Sequence, residues 1–143
     1  MFRWLRTMAA LAISAALLVL PQVMDVELLF DGADYYTFYS QSVSSQAHIV
    51  VVSANDAQAV RRSLQSVTGE SALYRRAQDA FAQVQRYGGE LIFSQTTGDV
   101  TDYYYYAPRL QGGVLLEGER INLHVAVRGE GACIGSPLIF GGY

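Results

Sequence analysis

With 143 residues the chain has room for one domain and a short extra segment. Hydrophobic residues make up 51% of it, enough for a packed core and too many for a disordered chain. The net charge is −3 and all ten basic residues are arginine; setting aside Arg3 and Arg6 at the start leaves eight arginines against thirteen acids, too few cations to neutralise a run of phosphates, so nucleic acid is excluded as a partner.

Arg3 and Arg6 precede an uninterrupted apolar run from Met8 to Leu20. That pattern is a targeting device, with a positive n-region followed by a signal-like h-region. Counted on through Met24, the run approaches the length of a membrane span. No Ala, Gly or Ser lies between Leu17 and Phe30, so the expected small residues of a cleavage site are missing, and no cysteine follows the run to carry a lipid. Residues 1–24 therefore read as an uncleaved signal anchor, a transmembrane helix, with secretion after cleavage as the alternative. Arginines before the run and Asp25 and Glu27 after it put the domain, residues 25–143, outside the cytoplasm.

Residues 26–53 read as β structure, with Tyr35–Tyr39 and His48–Val52 as a hairpin around the polar stretch Ser40–Gln46. Ser53 or Asn55 can cap a helix with Ala57, Val60, Leu64 and Val67 at helical spacing, ended by Gly69. Ser63–Thr68 also alternates well enough for a strand, and both readings stay open. Ser71 is a candidate cap for a second helix, with Leu73, Ala77, Ala80, Phe81 and Val84 on one stripe and Gly88 as its stop. A single apolar stripe means one buried side, so this helix lies on a sheet. Strands follow at Leu91–Gln95, Asp102–Ala107, Val114–Leu116, Ile121–Arg128 and Cys133–Phe140. With Glu130-Gly131 as the turn, the last hairpin sets Val127 against Ile134 and Cys133 against Arg128. The sum is an α+β two-layer domain: a mostly antiparallel sheet with one or two helices on one face.

No motif in the chain carries chemistry. Cys133 and His124 invite a thiol-nucleophile reading, but with Cys133 opposite Arg128, His124 lies four residues back along the partner strand, about 13 Å away and beyond hydrogen-bond reach. Two histidines and one cysteine match no zinc spacing, the glycines of Gly129–Gly135 precede no helix, and a Walker lysine is impossible without lysine. No catalytic residue, cofactor or metal is implied, and Cys133 reads as a small buried hydrophobe. The unusual feature is Tyr103, Tyr104, Tyr105 and Tyr106 on one strand. Alternation puts Tyr103 and Tyr105 on one face and Tyr104 and Tyr106 on the other, so two tyrosines should stand on the outer face, with Tyr35, Tyr36 and Tyr39 as possible additions. They are either good strand material or a contact surface for an envelope protein or a cell-wall glycan.

The C-terminal half carries a resemblance. Gly88-Gly89-Glu90-Leu91-Ile92-Phe93, Tyr104-Tyr105-Tyr106-Ala107-Pro108-Arg109-Leu110, Ile121–Arg128 and Ile134-Gly135-Ser136-Pro137-Leu138-Ile139 together resemble the YwmB-like family of Firmicutes. The resemblance covers roughly the last 55 residues; the N-terminal half lacks the long helix expected directly after the anchor. It implies an exported or anchored protein with a fold similar to the TATA-box-binding protein in shape only, a role in sporulation or cell-wall work, and no catalytic residue to carry over. The expected function is a non-enzymatic, membrane-anchored envelope protein that docks a partner through its outer sheet face. A small envelope hydrolase with an unrecognised site is the alternative, and a concave pocket with convergent polar groups is what would favour it.

Overall fold

The structure, a computed structural model, describes residues 26–41 and 47–140. The expected anchor at residues 1–24 lies outside them, as does most of the loop between the first two strands. Among the described residues no helix is long and apolar enough to cross a membrane.

Strands β1 (Tyr35–Gln41) and β2 (Ala47–Ser53) form the expected hairpin, and α1 (Ala54–Ser63) follows at once from Ser53. The stretch with two readings resolves into both: the helix ends at Ser63, and β3 (Val67–Tyr74) begins after Ser66, whose φ of 53° turns the chain. Helix α2 (Ala77–Tyr87) buries Ala80 and Val84 and stops at Gly88, which takes the left-handed conformation the sequence requires there. Its start differs from expectation. Ser71 caps nothing, because Ser71–Tyr74 belong to β3, held between β1 on one side and the C-terminal strand Gly131–Ser136 on the other. Leu73 matched the helical spacing only by coincidence of period; it faces outward on the strand and is 42% exposed.

The remaining strands are β4 (Glu90–Thr97), β5 (Val100–Tyr106), β6 (Val114–Leu116), β7 (Glu119–Ile121), β8 (Leu123–Arg128) and β9 (Gly131–Ser136). Seven strands make one antiparallel sheet in the order β2-β1-β3-β9-β8-β5-β4, and β6 and β7 pair separately. Among the described residues the fold is α+β, with two helices and a mostly antiparallel sheet. Helix α1 packs on β1 and β2, α2 on β9, β3 and β8, and the core lies between helices and sheet, with Phe38, Ala72, Leu123, Val125 and Ile134 facing Ala57, Ala80 and Val84.

Two expectations at the C-terminus need correction. The final hairpin turns at Gly129-Glu130, where Gly129 has φ 59°, so Val127 opposes Ala132 and Cys133 opposes Ala126. The shift of two residues leaves every side chain on its expected face, which is why apolar patterning could not detect it. Strand β9 also stops at Ser136, since Pro137 offers no amide to a ladder. Leu138–Phe140 instead fold back as a strap over the outer face: Ile139 N donates to His124 Nδ1 at 3.3 Å, and the Tyr39 hydroxyl bonds both N and O of Phe140. Asn122 likewise interrupts the expected strand Ile121–Arg128. Fully buried, its side chain bonds Ala107 N, Ala107 O and Leu110 O and clasps the loop that follows β5.

Candidate functional site

Alternation divides the tyrosine run as expected, but only half of it faces outward. Tyr105 is buried in the core, and Tyr103 meets Phe81 of α2 edge-on at 5.5 Å, so neither belongs to an outer surface. Tyr104 and Tyr106 lie on the opposite face, both half-buried. Tyr104 is sandwiched between Phe93 at 4.6 Å and His124 at 4.5 Å, and Arg120 stands over the Tyr106 ring at 5.8 Å. Of the earlier tyrosines, Tyr35 faces outward and is 51% exposed, Tyr36 is buried under the helices, and Tyr39 is outward but covered by Phe140. The most exposed apolar side chains of the outer face are not in the tyrosine run at all. On the strands themselves they are Val51 at 65%, Ile49 at 56%, Tyr35 and Leu73, on β2, β1 and β3, with Phe140 of the strap also exposed. Tyr35 is paired directly with Leu73, and Leu73 with Cys133, so the apolar surface continues across the sheet.

Beside it lies a polar cluster. Ile139 N–H can only donate, so His124 Nδ1 accepts and its Nε2 proton goes to Asp102 Oδ1 at 2.8 Å. Burial holds the imidazole below its ordinary pKa against the opposing pull of Asp102, and the ring is neutral. The corrected register makes Cys133 a diagonal neighbour of His124 on this face, about 7–8 Å away rather than 13 Å. No thiol–imidazole pair results: both ring nitrogens are engaged, and burial pushes the Cys133 thiol up to about 11 despite its bond to Ser71.

The opposite, helix-bearing side holds a cleft that sequence reasoning missed. It opens where both helices end, and its volume is about 550 Å³. Glu70 of β3 and Arg61 of the last turn of α1 line it, with Tyr87, Glu27 and the Arg109–Gly113 loop around them. Segment 26–34 runs between the helices and is tied down by backbone bonds to buried side chains. Glu70 Oε1 accepts from Leu29 N at 2.9 Å and Phe30 N at 3.3 Å. Tyr36, Tyr74 and Tyr87 donate to Phe30 O, Asp31 O and Leu29 O; burial raises all three hydroxyls, which keeps them protonated. Burial also pushes the Glu70 carboxyl up to about 7, against the two amides and the Arg61 charge that pull it down.

Two signals could have exposed this cleft. Glu70 shares a strand face with Ala72 and Tyr74, and Arg61 falls on the α1 stripe between Ala57 and Leu64. A charge at an apolar position asks for a partner. Compared with protein-family models, with curated proteins and with solved structures, the chain matches none.

Proposed function

We propose that this chain is a non-enzymatic interaction domain, anchored in the membrane by residues 1–24 with residues 25–143 outside the cytoplasm, that docks an envelope protein on the outer face of its sheet. The observation that carries this reading is the apolar group Val51, Ile49, Tyr35 and Leu73, each 42% exposed or more and all on one face of neighbouring strands. A contiguous exposed apolar patch costs solvation that a partner would recover. A protein suits it better than a glycan, because aliphatic side chains outnumber the aromatic ring a sugar would stack on. Tyr104 and Tyr106 extend the surface beyond the strap as its half-buried flank. The arginines before Met8–Leu20 and the resemblance to the YwmB-like family support the envelope setting, and that resemblance is also what favours sporulation or cell-wall work.

A small hydrolase is the second reading, favoured by the Glu70 carboxyl in its cleft with a pKa near neutrality. Against it, the carboxyl already holds Leu29 and Phe30, and the nearby hydroxyls of Ser136 and Thr68 donate to Asn122 O and Tyr39 O. Binding therefore accounts for the residues better than turnover does.

The test is a photo-cross-linker placed at Leu73 in intact cells, with Gln85 on the exposed side of α2 as the control position. One discrete protein adduct from Leu73 and none from Gln85 is the expected result. Equal labelling from both positions, or no adduct from Leu73, overturns the reading.

A further inference from the structure

We propose that the cleft between the helix ends binds a small organic monocarboxylate with an apolar body, its charge held by Arg61. This site is separate from the outer face and needs no partner there.

The cleft has the dimensions of a ligand pocket, which commonly runs from about 300 to 1,000 Å³. Its walls are mixed in the way such pockets are: Leu29, Val67, Leu110 and Pro137 offer hydrocarbon, while Arg61 and Glu70 converge as charged and polar groups. The decisive observation is Arg61. The guanidinium lines the cleft, and among the described residues its buried Nε has no hydrogen-bond partner. A buried N–H of a charged group left unmade is costly, and structures rarely tolerate one without something arriving to accept it. A guanidinium presents its donors as a planar fork, and the acceptor that matches that fork is a carboxylate or a phosphate.

The remaining charges choose between those two. Glu27 and Glu70 both line the cleft, so a dianionic phosphate would bring two negative charges against two carboxyl groups. A monocarboxylate brings only one. Arg109, on the loop at the rim, adds a second positive charge while its own Nη1 donates to Arg86 O at the end of α2. The apolar walls then take the tail of the ligand.

The probes are octanoate, octanamide and octyl phosphate, titrated calorimetrically into the full-length chain at pH 6.5. Octanoate should bind at least about tenfold more tightly than octanamide, the ratio expected for one charge-assisted contact. Arg61→Gln should erase that preference, and Arg61→Lys should recover part of it. Melting curves of both variants matching the parent establish that the loss is local, since Arg61 is only partly buried. Gln95→Ala, on the exposed part of β4 and outside the cleft, should bind octanoate as the parent does. Octanamide binding as tightly as octanoate, octyl phosphate binding more tightly, or Arg61→Gln keeping the preference would each overturn the proposal.

Discussion

At the scale of single residues, two buried titratable groups pull stability in opposite directions with pH. Glu70 faces Arg61 from α1 and Asp31 from the preceding segment, and burial outweighs both its amide donors and Arg61. Its folded pKa lies above the unfolded one, so the folded state holds the proton more tightly. Its contribution is fully present below the ordinary carboxylate range and is lost as pH rises through about 7. Ionising it in place costs about 3 kcal/mol. The melting temperature of Glu70→Gln, which keeps an acceptor for Leu29 and Phe30, should therefore fall less between pH 5 and about 8.5 than that of the parent. Equal slopes would mean that Glu70 does not govern that window. His124 works the other way. Its pKa is depressed by burial, so its contribution is present above the ordinary imidazole value near 6.5 and is lost as pH falls through the lower folded value. Protonation would also set an Nδ1–H against the Ile139 N–H it now accepts. Acid should accordingly lower the protection factor of the Ile139 amide, its exchange rate corrected for the intrinsic pH dependence, in the parent and leave it unchanged in His124→Gln, as measured at pH 5 and pH 7.

At the scale of elements, the strap is the piece on which the outer face depends, and one glycine admits it. A Cβ on Gly135 would stand 2.9 Å from both Ile139 Cγ1 and Leu138 O, so Gly135→Ala must push Leu138–Phe140 outward. The cost should be about 1–3 kcal/mol, in the range of overpacking a tight contact. Exchange at Ile139 and Phe140 should accelerate while Val125 in β8 stays protected; unchanged protection at Ile139 would show that the strap absorbs the methyl group. Which elements were legible in the sequence follows from the same distinction between local and non-local causes. The hairpin of β1 and β2, the stripe and glycine stop of α2, and the strand β5 are written in periodicity and turn residues, and they appear where expected. The end of β3 was not legible: Leu73 fits a helix at the i, i+4 spacing to Ala77, and only pairing with distant β1 and β9 makes it a strand. The final hairpin was legible in face but not in register, because a two-residue slip is invisible to a period of two. The strap and the cleft depend on where Tyr39, His124, Arg61 and Glu70 meet in space. Nothing in the strand and helix periods specifies such meetings, although two misplaced charges marked one of them.

At the scale of the whole molecule, the sheet is built from two blocks of chain. Strands β2, β1 and β3 come from residues before α2, strands β9, β8, β5 and β4 from residues after it, and among the described residues β3 with β9 is the strand pair that joins them. An open seam of this kind could let the blocks unfold separately. Its burial argues otherwise. Glu70, Ser71 and Ala72 on one side and Ala132, Ile134 and Ser136 on the other are all buried, and α2 lies across β3, β9 and β8 together. Segment 26–34 adds a second tie, bonded to Glu70 and Tyr74 of β3 and to Arg86 and Tyr87 of α2. Neither block can expose the seam without stranding apolar surface and the carboxyl of Glu70, so the described domain should unfold in one step. Ile134, fully buried and paired with Ala72, is where this is tested. Ile134→Ala should cost about 3 kcal/mol, as deletion of a buried branched side chain does. Followed in urea by far- and near-ultraviolet circular dichroism, the parent and the variant should each show one transition, coincident in the two signals and shifted to lower urea in the variant. Two separated transitions in either protein would show that the seam joins two independent units, and a shift well under 1 kcal/mol would show that the seam is not where the blocks are held together.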